Sequence, residues 1–405
     1  MCFFELKSAK KHPLAISMIS VILFVVFSLS VLIVFYSYVL FPLLLNILAK
    51  GKSFHFGNAV QPEGVSVLIS AYNEESVIRE KIRSVLDSDY PSDKIEILIG
   101  SDCSNDRTVE IVNEIISNES RIQLFNFSVR RGKPSVINEL VDKAKFPLII
   151  LTDANVYFEK NTIAHLFRHF AEKSVGLVGA NILNVGMRHD GISMQEKSYI
   201  QRENLIKYNE GLLWGTMMGP FGGCYMIRKD LYEPVPADSM VDDFYISMKI
   251  LEKGFKCRNE LKAICYEDVP NEMKIEFRRK ARISSGNFQN LSRFRSFLLN
   301  PFTIAGFCFI SHKLIRWITP LFLIISLISL FFLIPIGNIF LILFIGEILL
   351  LLSPLLDVIL KKLGMHFKFI RFIAYFSYMN LALIKGYFDF KRGIKSGVWV
   401  PTKRN

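Results

Sequence analysis

The chain has 405 residues, of which 51% are hydrophobic and 35 are phenylalanine. This length suffices for one large domain and a further region, and the apolar content argues against an ordinary soluble protein. Lys and Arg outnumber Asp and Glu by 49 to 37. Because the chain also has long apolar runs, this excess indicates a membrane surface and phosphorylated ligands, and we expect no nucleic-acid partner. The six cysteines form no C-x-x-C pair, which argues against a zinc site.

The first long apolar run covers residues 13–49 and contains no charged side chain. As a helix these residues would extend for about 55 Å, against a hydrocarbon core of roughly 30 Å. Three lysines precede the run, as in a signal peptide, but the run is too long and no small-residue cleavage site follows it. We predict a membrane helix to about Tyr36 and an interfacial continuation around Pro42.

Residues 60–300 have the pattern of an α/β domain. Three short apolar strands are predicted, at Val65–Ser70, Ile95–Gly100 and Phe146–Thr152. Between the first two, apolar residues recur on one helix face: Val77, Ile78, Ile82, Val85 and Leu86. Alternating strands and helices predict a parallel sheet with right-handed crossovers, in which ligands bind at the carboxyl ends of the strands.

After this domain the chain is again apolar, and we predict C-terminal transmembrane helices over residues 318–390. Residues 318–346 carry no charge, and Pro335, Gly337 and Asn338 mark a turn between two spans. A second long run covers residues 340–360, and a weaker third candidate covers 367–387.

Two basic segments flank these predicted spans. The stretch HKLIRW lies in residues 301–317, which we predict to form an amphipathic helix at the membrane interface. Residues 391–405 form a basic tail, which we expect to be cytoplasmic.

Acidic residues follow the predicted strands. They occur in AYNEE (71–75), SDCSNDRT (101–108) and DAN (153–155), and a further acidic pair lies in VDDF (241–244), which opens a helical pattern. A single acid of this kind is most often a helix cap. Several that converge are costly unless a metal ion or a cationic group joins them. The cationic cluster RRKARISSGNFQ (278–289) can supply that charge, unless it forms a solvated or lipid-facing surface.

The order of these motifs resembles the membrane-bound branch of glycosyltransferase family 2, which includes cellulose, chitin and hyaluronan synthases and ceramide glucosyltransferase. The resemblance covers about residues 60–300 and rests on AYNEE, SDCSNDRT, RRGKPSVIN, LTDAN, GPFGG, VDDF and RRKARI in that order. It implies a GT-A-type nucleotide-sugar-binding domain of α/β class, with a mostly parallel sheet and transmembrane helices on both sides.

The resemblance also implies roles for individual residues. The implied donor-binding positions are Ala71, Tyr72, Glu74, Asp102, Lys133, Asp153 and Arg279. Among these, Asp102 would contact the uracil edge and Lys133 would approach the base or the phosphates. Asp153 and Asn155 stand where the family has D-x-D, which holds Mg²⁺ or Mn²⁺ on the donor diphosphate. Asn155 is an amide where many members have a carboxylate, so the metal assignment depends mainly on Asp153.

Two further motifs concern catalysis and the acceptor. Asp242 and Asp243 match the family's T-E-D, in which Asp243 would be the general base. The family's Q-x-x-R-W corresponds to Arg279, Arg282 and Ile283. A guanidinium at Arg282 suits diphosphate recognition through paired hydrogen bonds.

The acceptor side departs from the polymer-forming members. Ile283 lacks the flat aromatic face on which an acceptor sugar stacks, and this favours a single transfer. Gly222 and Gly223 would let the backbone approach the acceptor closely, although a plain turn is the alternative.

These observations predict an inverting glycosyltransferase that uses a UDP-sugar and a lipid-linked or membrane-associated glycan acceptor. Two alternative enzymes are a processive polysaccharide synthase and a polyprenyl-phosphate sugar synthase, whose phosphate acceptor needs no base. A third alternative is a catalytically silent nucleotide-sugar- or lipid-binding membrane protein.

The predicted location is a bacterial inner or plasma membrane, with the catalytic domain in the cytoplasm because nucleotide sugars are cytoplasmic. Lys7, Lys10 and Lys11 conflict with this orientation if a single span precedes the domain. A short hairpin within residues 13–49 would remove the conflict.

Overall fold

The computed structural model describes residues 18–56, 61–185, 193–268, 272–365 and 367–394. Within them the chain forms one sheet of β-strands, which are β1 Val65–Ala71, β2 Ile95–Asp102, β3 Ile122–Phe127, β4 Leu148–Asp153, β5 Val156–Phe158, β6 Val175–Val185, β7 Cys224–Arg228 and β8 Lys256–Asp268. The α-helices are α1 Met18–Phe35, α2 Phe41–Ala49, α3 Ile78–Leu86, α4 Thr108–Ile116, α5 Lys133–Lys143, α6 Thr162–Phe167, α7 Ser193–Trp214, α8 Asp242–Glu252, α9 Met273–Arg293, α10 Ser296–Leu299, α11 Ile304–Cys308, α12 Ile315–Trp317, α13 Thr319–Leu333, α14 Asn338–Lys362 and α15 Lys368–Lys391.

The chain divides into two compact units. The first comprises residues 1–36 and 318–377, and the second comprises 37–317 together with the chain from 378. The sheet belongs wholly to the second unit, which is longer than the predicted domain 60–300. The domain boundaries given above, including the membrane-interface placement of 301–317, therefore stay predictions.

The first unit consists of long apolar helices. The candidate spans found among the described residues are Met18–Ala49, Thr319–Ile336 and Asn338–Lys362, by length and composition. The span Met18–Ala49 consists of α1, a π-helical turn at Tyr36–Leu40, and α2. A short turn, Ile334–Ile336, separates α13 from α14, as the Pro and Gly residues predict. The weak third C-terminal candidate falls in α15, which is not among the three spans found.

The sheet of the second unit has the order β3-β2-β1-β4-β7-β6-β8-β5. Strands β3, β2, β1 and β4 are parallel, whereas β7 runs antiparallel to both β4 and β6. The sheet is therefore mixed but mostly parallel, which confirms the prediction. The βαβ pattern itself holds only as far as β4. Beyond it the chain inserts β7 against β4 in the opposite direction.

The predicted strands and the first helix of this unit are present. Their apolar runs form the core of the sheet, since the side chains of β1, β2 and β4 are almost all buried. Helix α3 buries Ile78, Ile82 and Val85, the face that its spacing predicts. Strand β3 was not predicted, because two exposed polar residues, Gln123 and Asn126, interrupt its apolar run.

The parallel register brings three strand ends to one edge of the sheet. Ala71 of β1 pairs with Ser101 of β2, and Ser70 pairs with Asp153 of β4. The motifs that follow these strands are therefore neighbours, although they are about 30 to 80 residues apart in the sequence. Ligand sites of open α/β sheets form at this carboxyl edge.

Helix α9 packs closely on the segment that leads into α8, and Gly286 makes this approach possible. A Cβ at Gly286 would lie 2.5 Å from Cγ2 of Val241 and 2.9 Å from Cβ of Met240. We expect Gly286→Ala to lower the free energy of unfolding by about 1–2 kcal/mol, because overpacking outweighs the higher helix propensity of alanine.

The matched control is Gly346→Ala in α14, where no atom lies within 4 Å of the added methyl group. Thermal unfolding of both variants in the same detergent checks the prediction. An unchanged or higher melting temperature for Gly286→Ala would show that the 240–241 segment yields without cost.

Candidate active site

The loops after β1 and β2 are joined by side chain to backbone hydrogen bonds. Asn105 N donates to Asn73 Oδ1 at 2.9 Å, and Arg107 N donates to Glu75 Oε2 at 3.0 Å. In the reverse direction, Glu75 N donates to Asp106 Oδ2 at 3.0 Å. The acids Glu75 and Asp106 therefore hold the two loops together rather than facing a ligand.

Both loops also contain a non-glycine residue in the left-handed region of backbone conformation. Asn73 has φ +54° and Cys103 has φ +62°. Such conformations cost energy for L-residues and cluster at functional sites, where the surrounding structure holds them in place. The predicted nucleotide contacts Tyr72, Glu74 and Asp102 are their immediate neighbours.

Asp102 is buried and fixes the loop that precedes α5. Its Oδ1 accepts a hydrogen bond from Arg131 N at 2.7 Å, and its Oδ2 accepts one from Gly132 N at 2.9 Å. Gly132 has φ +85°, which favours glycine at this position. A carboxylate has about four acceptor sites, so two remain for the N–H groups of a base.

The same loop covers Tyr72. The Arg130 guanidinium lies 3.6 Å from the centre of the Tyr72 ring, in a cation–π contact. The structure therefore brings Tyr72 and Asp102 to one place, as the motif order implies. Arg130 was not singled out in the sequence, where it reads as one of several basic residues.

Lys133 connects the end of β4 to the start of α8. Its Nζ lies 2.6 Å from Asp153 Oδ1 and 3.7 Å from Asp242 Oδ2. Burial lowers the pKa of Lys133, but the two carboxylates outweigh burial and raise it above the ordinary value. The expected contact of Lys133 with base or phosphates is untested; its ammonium here neutralises the converging acids.

Lys81, which was not predicted as a site residue, holds Thr152 in place directly before the DAN motif. Thr152 Oγ1 donates to Gly223 O at 2.7 Å and accepts from Lys81 Nζ at 2.8 Å. Lys81 is fully buried, and burial lowers its pKa to about 8. Its position between Ile78 and Ile82, on the apolar face of α3, is the signal that could have revealed it.

Asp243 lies in the first turn of α8, beside the glycines of GPFGG. Its Oδ1 accepts a hydrogen bond from Phe244 N at 2.8 Å, and its Oδ2 would lie 3.0 Å from a Cβ at Gly222. Burial raises the pKa of Asp243 to about 6, and the Asp242 carboxylate adds to the shift. A half-buried carboxyl that titrates near neutral pH is suited to accept a proton.

Helix α9 holds the segment before α8 and carries the predicted arginines. Arg282 donates from Nη1 to Met240 O at 3.2 Å, and the carboxylates of Asp242, Asp153 and Asp243 are near enough to act on its charge. Burial, which is the largest influence, lowers the pKa of Arg282. Arg282 therefore lies at the acidic cluster.

The other members of the basic cluster have different surroundings. Arg279 lies 3.7 Å from Glu267 and 3.6 Å from Glu276, so its donor-binding role remains a prediction. Arg278 is exposed and Ile283 is half-buried. The cluster RRKARI is therefore not one surface, since neighbouring residues on α9 point to different environments.

Comparison with known proteins shows what this part of the chain resembles. Residues 66–235 match the family described as glycosyl transferase family 2. Two relatives from Staphylococcus epidermidis, both named poly-beta-1,6-N-acetyl-D-glucosamine synthase, are 25% and 24% identical over 239 residues. The aligned region spans 58% of this chain and 57% of the length of those relatives.

A solved structure has the same fold. The mannosyltransferase from Pyrobaculum calidifontis, in complex with GDP-Man and Mn²⁺, superposes with a TM-score of 0.68 at 18% identity, over 92% of this chain and 99% of that one. At this identity the likeness concerns the fold alone. The family match covers the carboxyl ends of β1, β2 and β4 and with them Tyr72, Asp102 and Asp153, whereas Asp243 and Arg282 lie beyond it. Residues 66–235 thus match glycosyl transferase family 2, within a unit that has a GT-A-like α/β fold.

Proposed function

We propose that the protein is a membrane-bound, inverting glycosyltransferase that moves a sugar from a UDP-sugar to a hydroxyl of a lipid-linked or membrane-associated glycan. The observation that carries this proposal is the placement of Asp243. Its carboxyl, with a pKa raised to about 6, lies beside the Gly222 backbone and in the same cluster as Lys133 and Asp153. This placement supports a base at the edge of the sheet, next to the proposed donor-binding residues.

The reaction that this geometry supports is a single displacement. Asp243 accepts the proton of the acceptor hydroxyl, and the oxygen forms a bond to the anomeric carbon. The bond between that carbon and the diphosphate oxygen breaks, and the nucleoside diphosphate leaves with the electron pair. One displacement inverts the anomeric configuration, and no residue needs to form a covalent bond to the sugar.

The leaving diphosphate needs positive charge. Arg282 offers a planar guanidinium, which donates paired hydrogen bonds to phosphate oxygens. Lys133 offers a second cation at 2.6 Å from Asp153. Charge that is already in place before the reaction stabilises a developing anion at little reorganisation cost.

The residues present also fit a divalent ion shared with the donor. In the part of the chain that the structure describes, no group of three or more His, Cys, Asp and Glu side chains could hold an ion alone. Asp153 engages Lys133 through Oδ1, which leaves Oδ2, and Asn155 adds an amide oxygen. Mg²⁺ commonly uses one or two such protein oxygens together with substrate phosphates. We propose that Mg²⁺ or Mn²⁺, when bound, supplies positive charge to the diphosphate.

A processive synthase is the second candidate function. The named activity of the Staphylococcus relatives favours a polymer of N-acetylglucosamine and therefore a UDP-linked N-acetylhexosamine donor. Ile283, which offers no aromatic face to a sugar, favours a single transfer instead. Product length distinguishes the two.

The experiment is to incubate the purified protein in lipid with a panel of UDP- and GDP-sugars and to follow release of the nucleoside diphosphate and the size of the product. Release from one UDP-sugar with short products supports the proposal, and long products support the synthase. No release from any donor with any acceptor would favour a binding protein.

Arg282 provides a specific prediction for this assay. Arg282→Lys should lower kcat/KM roughly a hundredfold, because an ammonium cannot supply two parallel hydrogen bonds to the diphosphate. Arg278→Lys is the matched control, since Arg278 lies one turn away on α9 with its side chain exposed. Equal activity of both variants would remove Arg282 from the proposed site.

A further inference from the structure

Helix α7 carries charged residues on its buried face. Glu196, Glu203, Lys207 and Glu210 are each at most 3% exposed, and their spacing of seven, four and three residues places them along one stripe of the helix. In the sequence, this spacing of charged residues is the signal of such a stripe. A buried charge is costly unless it is paired, so each member of the stripe requires an explanation.

The three glutamates have basic partners. Glu196 lies 2.9 Å from Lys280, Glu210 lies 2.8 Å from Nδ1 of His312, and Glu203 pairs with Arg316. Lys207 differs from them. Within the described residues no carboxylate oxygen lies within 4.0 Å of its ammonium, which instead sits 3.4 Å from the centre of the Phe221 ring.

Phe221 belongs to the stretch that contacts the start of α8. The next residue is Gly222, where a Cβ would lie 3.0 Å from Asp243 Oδ2. Two residues before Phe221, a Cβ at Gly219 would lie 2.6 Å from the Phe244 ring. One short stretch therefore contacts both Lys207 and the catalytic turn of α8.

The charges around the two groups are of mixed sign. Asp243 is influenced by Asp242, Lys133 and Lys207, and the guanidinium of Arg282 and the hydroxyl of Tyr225 also face it. Lys207 is influenced by Lys313, Glu203, Asp243 and Glu210. Burial lowers the pKa of Lys207 to about 7, with the Lys313 ammonium adding to the shift. At pH 6, where Asp243 titrates, Lys207 is still charged.

We propose that Lys207 is a positioning residue of the transfer reaction: its buried ammonium, held on the Phe221 ring beside Gly222, keeps Asp243 ionised so that Asp243 can accept the acceptor's proton at neutral pH. The inference rests on the proposed function of Asp243 as the base. Lys207 acts through space rather than by contact, and in a buried site such an interaction is little weakened by solvent.

The test is the pH dependence of kcat/KM in lipid for Lys207→Met, which removes the charge and keeps most of the side-chain length. The acid limb of the wild-type profile should lie near pH 6. In the variant it should move up by about half to one pH unit, which lowers activity at pH 6 roughly two- to fivefold. Near pH 8 the two proteins should be closer in activity. Lys207→Arg, which stays charged, should keep the wild-type limb.

Three comparisons make the outcome decisive. Lys197→Met, on the same helix and half-buried, should leave the profile unchanged. If Lys207→Met does not fold, Lys207→Gln takes its place. Infrared titration of the Asp243 carboxyl measures the pKa of that group without a need for turnover. The inference is wrong if Lys207→Met or Lys207→Gln keeps the acid limb of the wild-type pH profile. It is also wrong if the variant loses activity by the same factor at every pH. If Asp243→Asn is itself active, the proposed base has failed rather than the role of Lys207.

Discussion

Asp243→Asn is expected to lower kcat about 10²–10⁴-fold, the usual contribution of a positioned general base. The amide has the shape of the carboxyl group but cannot accept the acceptor's proton. Release of the nucleoside diphosphate at pH 7.5 measures the loss. Calorimetric binding of the donor serves as the control, because the proposed donor contacts are made by other residues. Nearly full activity would instead indicate a phosphate acceptor, as in a polyprenyl-phosphate sugar synthase.

The same variant should be more stable than the wild type at neutral pH. The pKa of Asp243 is about 6 in the folded protein, against 3.8 for an unperturbed Asp carboxyl. The protonated carboxyl is therefore favoured on folding, and this stabilisation is present below about pH 4 and lost as the pH rises through 6. At pH 7 the ionised form costs on the order of 2–3 kcal/mol, which the amide removes. Thermal unfolding at pH 7 should thus show a higher melting temperature together with the loss of activity.

Asp153→Ala is expected to abolish turnover, with a loss of about 10³-fold, because the site loses its main oxygen ligand for the divalent ion. Added Mg²⁺ or Mn²⁺ should not restore activity, and a chelator should inactivate the wild type. The variant also removes the closer ion-pair partner of Lys133, which then has Asp242 at 3.7 Å. A modest fall in melting temperature should accompany the loss.

The matched control is Asp93→Ala, which removes an exposed carboxylate just before the amino end of β2, at the other end of that strand from Asp102. It should keep wild-type activity and the same response to chelator. Full wild-type turnover in the presence of chelator would contradict a role for the metal, and recovery of Asp153→Ala with excess metal would contradict the role of Asp153.

Much of the catalytic unit was predictable because its strands are continuous apolar runs. Strands β1, β2 and β4 are buried on both faces, so each stands out from the polar loops around it. Parallel strands place their carboxyl ends at one edge, and this rule alone brings Tyr72, Asp102 and Asp153 together. Strand β3 was missed because exposed polar residues, Gln123 and Asn126, interrupt its apolar run. Strand β7 was missed because direction within a sheet depends on a neighbour distant in sequence.

The sequence by itself thus determined the chemistry that can occur at the sheet edge: the acids, the arginine and the glycines occupy positions that follow from strand ends and motif order. Only the tertiary structure decided how their charges are balanced. Lys133 joins Asp153 to Asp242, which is 109 residues further along the chain than Lys133, and Lys81 supports Thr152 from another helix. Lys207 reaches Phe221 in the same way. Such electrostatic pairs depend on distances of a few ångströms between residues far apart in the sequence, and packing alone sets those distances.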